Sequence, residues 1–419
     1  MQINTTQLDN GLTIVHSQDT NTQMVATSLL YRVGSADETP QHTGLAHLME
    51  HLMFGGSKNA PLFDPPLEKA CGENNAFTTS DYTNYYITLP AVNIETALFL
   101  ESDRMTGLVL TPRTLDVQRK VVMEEFKLHY INQPYGDLHH LLAALAFPKG
   151  HPYSWPTIGL NLSQIADVPL QVVQDFYRRF YAPDNAILAI VGNISWERTQ
   201  ELTRKWFAHI ENPAPQLRGP RIKAMPPAKG HTRTVRRNVP RDLLVVAFHT
   251  PSVQHEAYRA FDVVSDLLAT GKSSRLYQQL VEKQHCLLSA DAYVMPRLQG
   301  SMLILEAVPA EGVSLQQAEQ AVREQVEQLR TEPVSRHELQ KVLNKFEASQ
   351  AAQRNNCQAV AMQLAYYTML GDAELYNDEL AAYRAITPQH LHQTICSALE
   401  WRHAHIIRYH SKTAVATNR

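Results

Sequence analysis

Apolar and polar residues follow two different spacings along the chain, and segments with the two spacings alternate. Short runs of β-branched and large apolar residues between turn residues predict strands, whereas apolar positions three and four residues apart predict helices. The predicted strands are 12–16, 24–33, 75–79, 84–89, 181–192, 243–249, two within 287–308, and 404–409. The predicted helices are 43–52, 92–147, 195–209, 255–269, 271–283, 315–330 and 335–370. This grouping of strands and helices predicts a fold of the α+β class.

The same succession of strands, helix, strands, long helices and a late strand occurs in each half of the chain. Between the halves, the segment 212–230 contains five prolines and no acidic residue, which predicts a linker. We therefore expect a first domain at 1–211 and a second, similar domain at 231–419, each a mainly antiparallel sheet flanked by helices. A chain of 419 residues with 44% hydrophobic residues can form two such cores.

Charge and composition exclude several classes of function. The 38 Lys and Arg residues nearly balance the 41 Asp and Glu residues, which argues against nucleic acid or an anionic membrane as the main partner. No apolar run is long enough to span a membrane. The N-terminus shows no basic segment followed by an apolar one, which predicts a cytoplasmic protein. A periplasmic location is the alternative if a leader has been removed.

One short motif, His47-Leu-Met-Glu50-His51, has the spacing of a metal site. In a helix begun by Thr43 as N-cap, the two histidines lie four residues apart on one face, a spacing that suits tetrahedral Zn²⁺. Glu50 is near enough to take a proton from a zinc-activated water without being a ligand. Chance alone would place this motif in roughly one chain in twenty of similar histidine content. A polar helix edge with coincidental histidines is therefore the alternative, and context must decide.

A third ligand is expected from the helical segment about seventy residues further along the chain, which contains Glu124 and Glu125. Glu125 shares a face with Val121 and Val122, while Glu124 lies about 100° around the helix. A carboxylate among apolar neighbours needs a partner, and a zinc ion would provide one. We therefore favour Glu125 as the ligand.

Several longer segments resemble one family. They are GLAHLMEHLMFGGS, GENNAFTTSDYTNYYITLP, QRKVVMEEF, GHPYSWPTIG, FYAPDNAILAIVGN and GKSSRLYQQLVEK. Their content and order resemble the pitrilysin/insulinase zinc peptidases with the inverted HxxEH motif, in the subfamily of the mitochondrial processing peptidase. The resemblance implies two similar α+β domains that form half of a clam-shell chamber, which admits unfolded peptides.

The resemblance also implies roles for individual residues. It implies one zinc ion per chain with three ligands, His47, His51 and Glu125. Glu50 would be the general base of peptide hydrolysis. Three residues would lie on an edge strand that pairs with the extended substrate, namely Asn75, Ala76 and Phe77.

The chain departs from the family pattern at three positions. Gln118 stands where the family often has a second glutamate, seven residues before the zinc glutamate. Active members also carry an Arg and a Tyr, seven residues apart, after the segment that contains SSRL. Here Val281 and Leu288 occupy those places, and neither side chain can donate a hydrogen bond. Loss of one donor to the tetrahedral oxyanion can reduce the rate by about 10²–10³-fold.

Three hypotheses follow. In the first, the chain is the zinc-bearing subunit of a metallopeptidase, completed by a related chain that supplies Arg and Tyr in a heterodimer. In the second, it is a homodimer with weak or narrow activity. In the third, it is a non-catalytic structural or peptide-binding subunit of a larger complex.

Overall fold

The structure is a computed structural model that describes residues 1–212 and 229–412. Contacts divide these residues into two compact units, each built from three chain segments. Within the described residues, the first unit comprises 1–128, 155–212 and 350–379, and the second comprises 129–154, 229–349 and 380–412. Most of the predicted linker, at 213–228, lies outside the described residues.

Eleven strands form two sheets in the part of the chain that the structure describes. The strands are β1 (Asn4–Gln7), β2 (Thr13–Gln18), β3 (Met24–Tyr31), β4 (Glu73–Thr78), β5 (Thr83–Pro90), β6 (Ala186–Gly192), β7 (Thr232–Arg237), β8 (Leu243–Thr250), β9 (Leu287–Met295), β10 (Ser301–Pro309) and β11 (His405–Ser411).

The first unit contains a six-stranded sheet in the order β1-β2-β6-β3-β5-β4, and the second contains a five-stranded sheet in the order β7-β11-β8-β10-β9. In each sheet a single pair is parallel, β2 with β6 and β11 with β7, and the other described pairs are antiparallel. The predicted α+β fold with mainly antiparallel sheets is confirmed.

Helices flank both sheets. They are α1 (Leu45–Leu52), α2 (Asp64–Lys69), α3 (Ile94–Thr106), α4 (Pro112–Phe126), α5 (Leu138–Ala146), α6 (Leu162–Ala166), α7 (Leu170–Phe180), α8 (Trp196–Phe207), α9 (Tyr258–Ala269), α10 (Leu315–Thr331), α11 (Arg336–Gln353), α12 (Cys357–Leu370), α13 (Leu375–Arg384) and α14 (Pro388–Ala398). Two π-helical segments also occur, at Lys127–Asn132 and Tyr277–Lys283. Among the described residues, no helix has both the length and the apolar character that a membrane span requires.

Two segments depart from the predicted division into linear domains. Helix α12, from the second half of the sequence, packs on β3 and β6 and belongs to the first unit. Helix α5, from the first half, packs on β11 and belongs to the second unit. The amphipathic pattern of a helix shows that it covers a core, but it does not show which sheet it covers. A division at the linker alone therefore misplaced both segments.

The long helices predicted at 92–147 and 335–370 are each divided in the structure. The first is interrupted near Gly107 and Pro112 and again after the π-helical segment, near Pro134 and Gly136, where glycine and proline disfavour a continuous helix. The second is interrupted before α12, where the Asn356 side chain accepts a hydrogen bond from a backbone N–H and caps the new helix. Strands β1 and β7 were not predicted, because their polar sequences lack the apolar alternation of a half-buried strand.

Candidate metal centre

Helix α1 begins at a tight turn. Its N-cap is Gly44 rather than the predicted Thr43, and the φ of Gly44 is +86°, in the left-handed region. A Cβ atom at this position would lie 2.7 Å from the carbonyl oxygen of Ile158. The Thr43 hydroxyl instead accepts a hydrogen bond from the Leu160 N–H at 2.8 Å. The prediction of Thr43 as N-cap was wrong because that side chain serves a contact distant in sequence.

A buried carboxylate binds the first N–H groups of α1 instead. Glu38 Oε2 accepts a hydrogen bond from Gly44 N–H at 3.0 Å, and Glu38 Oε1 accepts one from Ala46 N–H at 2.8 Å. Burial raises the pKa of Glu38 well above its usual value, while the two backbone N–H groups act in the opposite direction. A negative group at a helix N-terminus is stabilised by the helix dipole. This contact fixes the start of the helix that carries the two histidines.

The three predicted zinc ligands converge. Glu125 Oε2 lies 3.3 Å from His51 Nε2 and 3.7 Å from His47 Nε2, and one ligand atom from each residue lies within 4.8 Å of the others. Glu125 lies on α4, which packs against α1. Glu124 points elsewhere: its carboxylate is largely exposed and pairs with Lys127 Nζ at 2.6 Å. The geometry therefore favours Glu125 over Glu124, as the helical face predicted.

The electrostatics of this cluster suit a metal ion. Burial lowers the pKa of His47 to about 4, and the nearby Glu125 carboxylate acts in the opposite direction. At neutral pH His47 is therefore uncharged, which is the form that binds metal. His47 Nδ1 is buried and has no hydrogen-bond partner among the described residues. Two imidazoles and one carboxylate form a donor set that fits Zn²⁺ and leaves a coordination position open.

Glu50 lies beside this donor set. The hydroxyl of Thr78, at the end of β4, donates a hydrogen bond to Glu50 Oε2. Burial raises the pKa of Glu50, and the hydrogen bond from Thr78 acts in the opposite direction. Thr78 thus orients a carboxylate whose environment favours binding a proton.

The three residues predicted on an edge strand all lie in β4. This strand is at the end of the first sheet and pairs with β5 alone among the described strands. Alternate side chains of a strand point to opposite faces, so Ala76 shares a face with Thr78, while Asn75 and Phe77 point to the other face. The main chain of β4 therefore offers a free sheet edge close to Glu50.

A buried cation on α3 was not predicted. The Arg104 guanidinium lies over the rings of Tyr85, Phe63 and Phe54, with its Cζ atom 4.3, 4.9 and 5.4 Å from their respective centroids. Its Nε donates to Glu101 Oε2 at 2.8 Å, and both side chains are fully buried. Charged residues are rarely buried, and the sequence alone carried no signal that this pair would be an exception.

The positions that depart from the family pattern lie outside this cluster. Gln118 is half-buried on α4. Val281 lies in the second π-helical segment and packs against the core of the second unit, whereas Leu288 on β9 is 53% exposed. Polar residues near them in sequence have structural partners: Arg275 pairs with Glu338, Tyr293 with Glu306, and Arg297 with the rings of Phe147 and Tyr153.

Two family models match the chain. Residues 13–147 match the model described as "Insulinase (Peptidase family M16)", and residues 167–346 match the one described as "Peptidase M16 inactive domain". The first match contains His47, Glu50, His51 and Glu125, and together the two matches cover most of the chain.

Sequence relatives have names consistent with these matches. The chain is 28% identical over 380 residues to "Zinc protease PqqE" of Helicobacter pylori, covering 88% of this chain and 84% of that protein. It is 26% identical over 337 residues to "Uncharacterized zinc protease YmxG" of Bacillus subtilis, covering 79% of each chain.

Solved structures share the fold. A protease from Helicobacter pylori superposes with a TM-score of 0.92 at 26% identity, over 97% of this chain and 99% of that one. The periplasmic protease PqqL from Escherichia coli superposes with a TM-score of 0.80 at 20% identity, over 99% of this chain but only 48% of that one. The second likeness shows the fold alone. The two family models, which together match most of the chain, and the sequence relatives show that the chain belongs to the insulinase (peptidase M16) family.

Proposed function

We propose that this chain is the zinc-bearing subunit of a metallopeptidase that hydrolyses oligopeptides or unfolded peptides. The observation that carries the proposal is the convergence of His47, His51 and Glu125, with the half-buried carboxylate of Glu50 beside them. A half-buried, uncharged histidine and a carboxylate with a raised pKa are both suited to metal-assisted hydrolysis.

Each residue has a defined task in this proposal. His47, His51 and Glu125 would hold one zinc ion, which would supply Lewis-acid activation of a water molecule and polarise the scissile carbonyl. Glu50 takes the proton of the attacking water and then gives it to the leaving amine. The raised pKa of Glu50 favours the first transfer, and Thr78 keeps its carboxylate oriented.

The substrate main chain would pair with β4 as an added strand at Asn75, Ala76 and Phe77. Such pairing selects extended peptides, because a folded substrate has no free strand to offer. It also fits a chamber formed by two chains, of which this chain would be one half.

A related chain would complete the site. Val281 and Leu288 cannot donate the hydrogen bonds that the Arg and Tyr of active members supply, and the nearby polar residues are engaged in structural pairs. A heterodimer with an Arg- and Tyr-bearing chain would supply them, and a homodimer with narrow activity is the alternative. We propose a cytoplasmic location; because PqqL of Escherichia coli is a periplasmic protease with the same fold, the periplasm is the alternative.

A second candidate is a non-catalytic structural or peptide-binding subunit. The absent Arg and Tyr favour it, and so does the "inactive domain" description of the model matched by residues 167–346. Against it stands the complete set of three ligands and a general base, since a structural subunit has no need of all four.

The test is hydrolysis of a mixed, internally quenched peptide library by the purified chain loaded with zinc. Glu50→Gln is the control, with the bound zinc measured in both proteins. We expect zinc in both, and cleavage by the parent only after a related chain with the Arg and Tyr pair is added. Cleavage by the parent alone would support the homodimer. Failure to cleave with any related chain, while zinc is bound, would favour the non-catalytic subunit.

A further inference from the structure

Main-chain groups at the free edge of β4 point away from the sheet. Thr79 N–H donates to Tyr82 O at 2.8 Å, so these opposed residues form a hydrogen-bonded pair of the antiparallel ladder. Hydrogen-bonded and non-hydrogen-bonded pairs alternate along such a ladder. Ala76, which lies opposite Tyr85 three residues away, is therefore in a non-hydrogen-bonded pair. Its N–H and C=O point towards the open edge rather than towards β5.

The neighbouring side chain covers this N–H group. Asn75 Oδ1 accepts a hydrogen bond from Ala76 N–H at 2.8 Å, and the Asn75 side chain is exposed. Asparagine is disfavoured in strands, so strand formation does not account for its presence here. Its amide oxygen has the chemistry of a main-chain carbonyl and occupies a position that the carbonyl of an added strand would take.

The covered N–H lies near the proposed reaction site. Ala76 and Thr78 share a face of β4, and the Thr78 hydroxyl donates to Glu50. A strand rises about 3.3 Å per residue, so the two positions are one strand repeat, about 7 Å, apart. An extended peptide that follows β4 to Glu50 must therefore pass the N–H of Ala76.

We propose that Asn75 is a positioning residue whose side chain reserves the N–H of Ala76 until a peptide main chain displaces it. The inference rests on the proposed function. On binding, the hydrogen bond between Asn75 and Ala76 breaks and one between a peptide carbonyl and Ala76 forms. Asn75 thus lowers the affinity for peptide, and in the free protein it protects the edge from pairing with other chains.

The edge strand of the second unit shows a tighter form of the same contact. In β9, Ala292 N–H donates to Asp291 Oδ1 at 2.8 Å. A hydrogen bond to a carboxylate is about twice as strong as one to a neutral oxygen. A neutral peptide carbonyl would displace the carboxylate of Asp291 less readily than the amide of Asn75. Of the two hydrogen bonds, the one between Asn75 and Ala76 in β4 is therefore the one that a peptide carbonyl can replace more easily.

The test uses the Glu50→Gln chain, which does not hydrolyse the peptide. It measures the hydrogen bond between Asn75 and the Ala76 N–H separately from the affinity for peptide. Hydrogen exchange of the β4 amides reports how well Asn75 protects the Ala76 N–H, and the anisotropy of a fluorescein-labelled unstructured peptide reports binding. In this background, Asn75→Ala should speed exchange at Ala76 and tighten peptide binding about two- to tenfold, because one net hydrogen bond no longer has to be displaced. Asn75→Asp should weaken binding. Asn74→Ala, the same change one position earlier, should alter neither quantity.

Two results would overturn the role of Asn75 alone. One is weaker binding by Asn75→Ala, which would mean that the side chain itself holds the peptide. The other is faster exchange with unchanged affinity, which would mean that the hydrogen bond between Asn75 and Ala76 has no effect on binding. If the parent and all variants fail to bind any peptide, both this inference and peptide pairing at β4 are wrong.

Discussion

In each unit a helix packs against the edge strand of the sheet, but the polar residues of the two helices have different partners. In the first unit, α1 packs on β4 and directs His47, Glu50 and His51 to one cluster with Glu125. In the second, α9 packs on β9, and its acidic residues are paired within the unit.

The acidic residues of α9 have partners within the second unit. Asp262 accepts a hydrogen bond from the Tyr383 hydroxyl at 2.6 Å, and Asp266 pairs with Lys345 Nζ at 3.0 Å. Across the described part of the chain, only His47, His51 and Glu125 form a group with the spacing of a metal site. Both units thus place a helix on an edge strand. They differ in whether side chains of neighbouring elements pair with the polar groups of that helix or leave them available to a ligand.

Replacement of Glu125 should have the largest effect, because it removes a proposed ligand of the metal centre that only the first unit has among the described residues. In Glu125→Gln we expect loss of stoichiometric zinc and a fall in peptide hydrolysis of about 10³-fold, measured in the completed enzyme, because the Lewis-acid contribution is worth several kcal/mol. Glu124→Gln is the matched control, since that carboxylate is exposed and pairs with Lys127. Metal analysis and peptide assays on both variants check the prediction. Equal losses in the two would contradict the assignment of the ligand.

Replacement of Arg104 tests how much the buried ion pair on α3 contributes to stability. Arg104→Met leaves the Glu101 carboxylate buried without its partner, and we expect the free energy of unfolding to fall by about 3–5 kcal/mol. The double variant Glu101→Leu/Arg104→Met should recover most of this loss, since no charge then remains buried. Chemical denaturation followed by a signal from the first unit provides the measurement. A double variant as unstable as the single one would show that packing around the three rings, rather than the ion pair, dominates.

Replacement of Glu38 tests the start of α1. In Glu38→Gln one acceptor oxygen becomes an NH₂ group that faces a backbone N–H, so we expect a loss of about 1–3 kcal/mol in the free energy of unfolding and weaker zinc binding. The helix α9 has no comparable support, because its N-cap Ala257 has no side-chain cap. Glu68→Gln on exposed α2 is the control and should stay within about 0.5 kcal/mol of the parent. Unfolding curves and zinc titrations check both effects.

The sequence predicted the parts of the site that depend on local geometry. The spacing of His47 and His51 and the helical face of Glu125 follow from the period of a helix, and the structure brings these residues together. The positions of Glu38 and Arg104 could not be predicted, because their partners lie on other elements and burial of a charge is decided by tertiary packing. The unit assignments of α5 and α12 could not be predicted for the same reason, since the local sequence of a helix does not indicate which sheet it covers.

The second unit contains a buried histidine outside the metal centre, and its titration should make the stability of this unit depend on pH. His405 is buried on β11 beside His249 and His231, and burial and these two neighbours lower its pKa to about 4. Because the folded state binds the proton less well than the unfolded state, this contribution to stability is complete above about pH 6.5 and is lost as the pH falls towards 4. His405→Phe removes this titration. At pH 5 we expect it to raise the stability of the unit, relative to the parent, by about 1–2 kcal/mol more than at pH 7.5.

Hydrogen exchange of peptides that cover β8 and β11, compared at the two pH values, measures this difference within the unit itself. His390→Phe on the exposed surface of α14 is the matched control and should leave the pH dependence of the parent unchanged. An equal effect of His405→Phe at both pH values would contradict the prediction, since a packing change acts at any pH whereas a buried neutral imidazole destabilises the fold only when it must accept a proton.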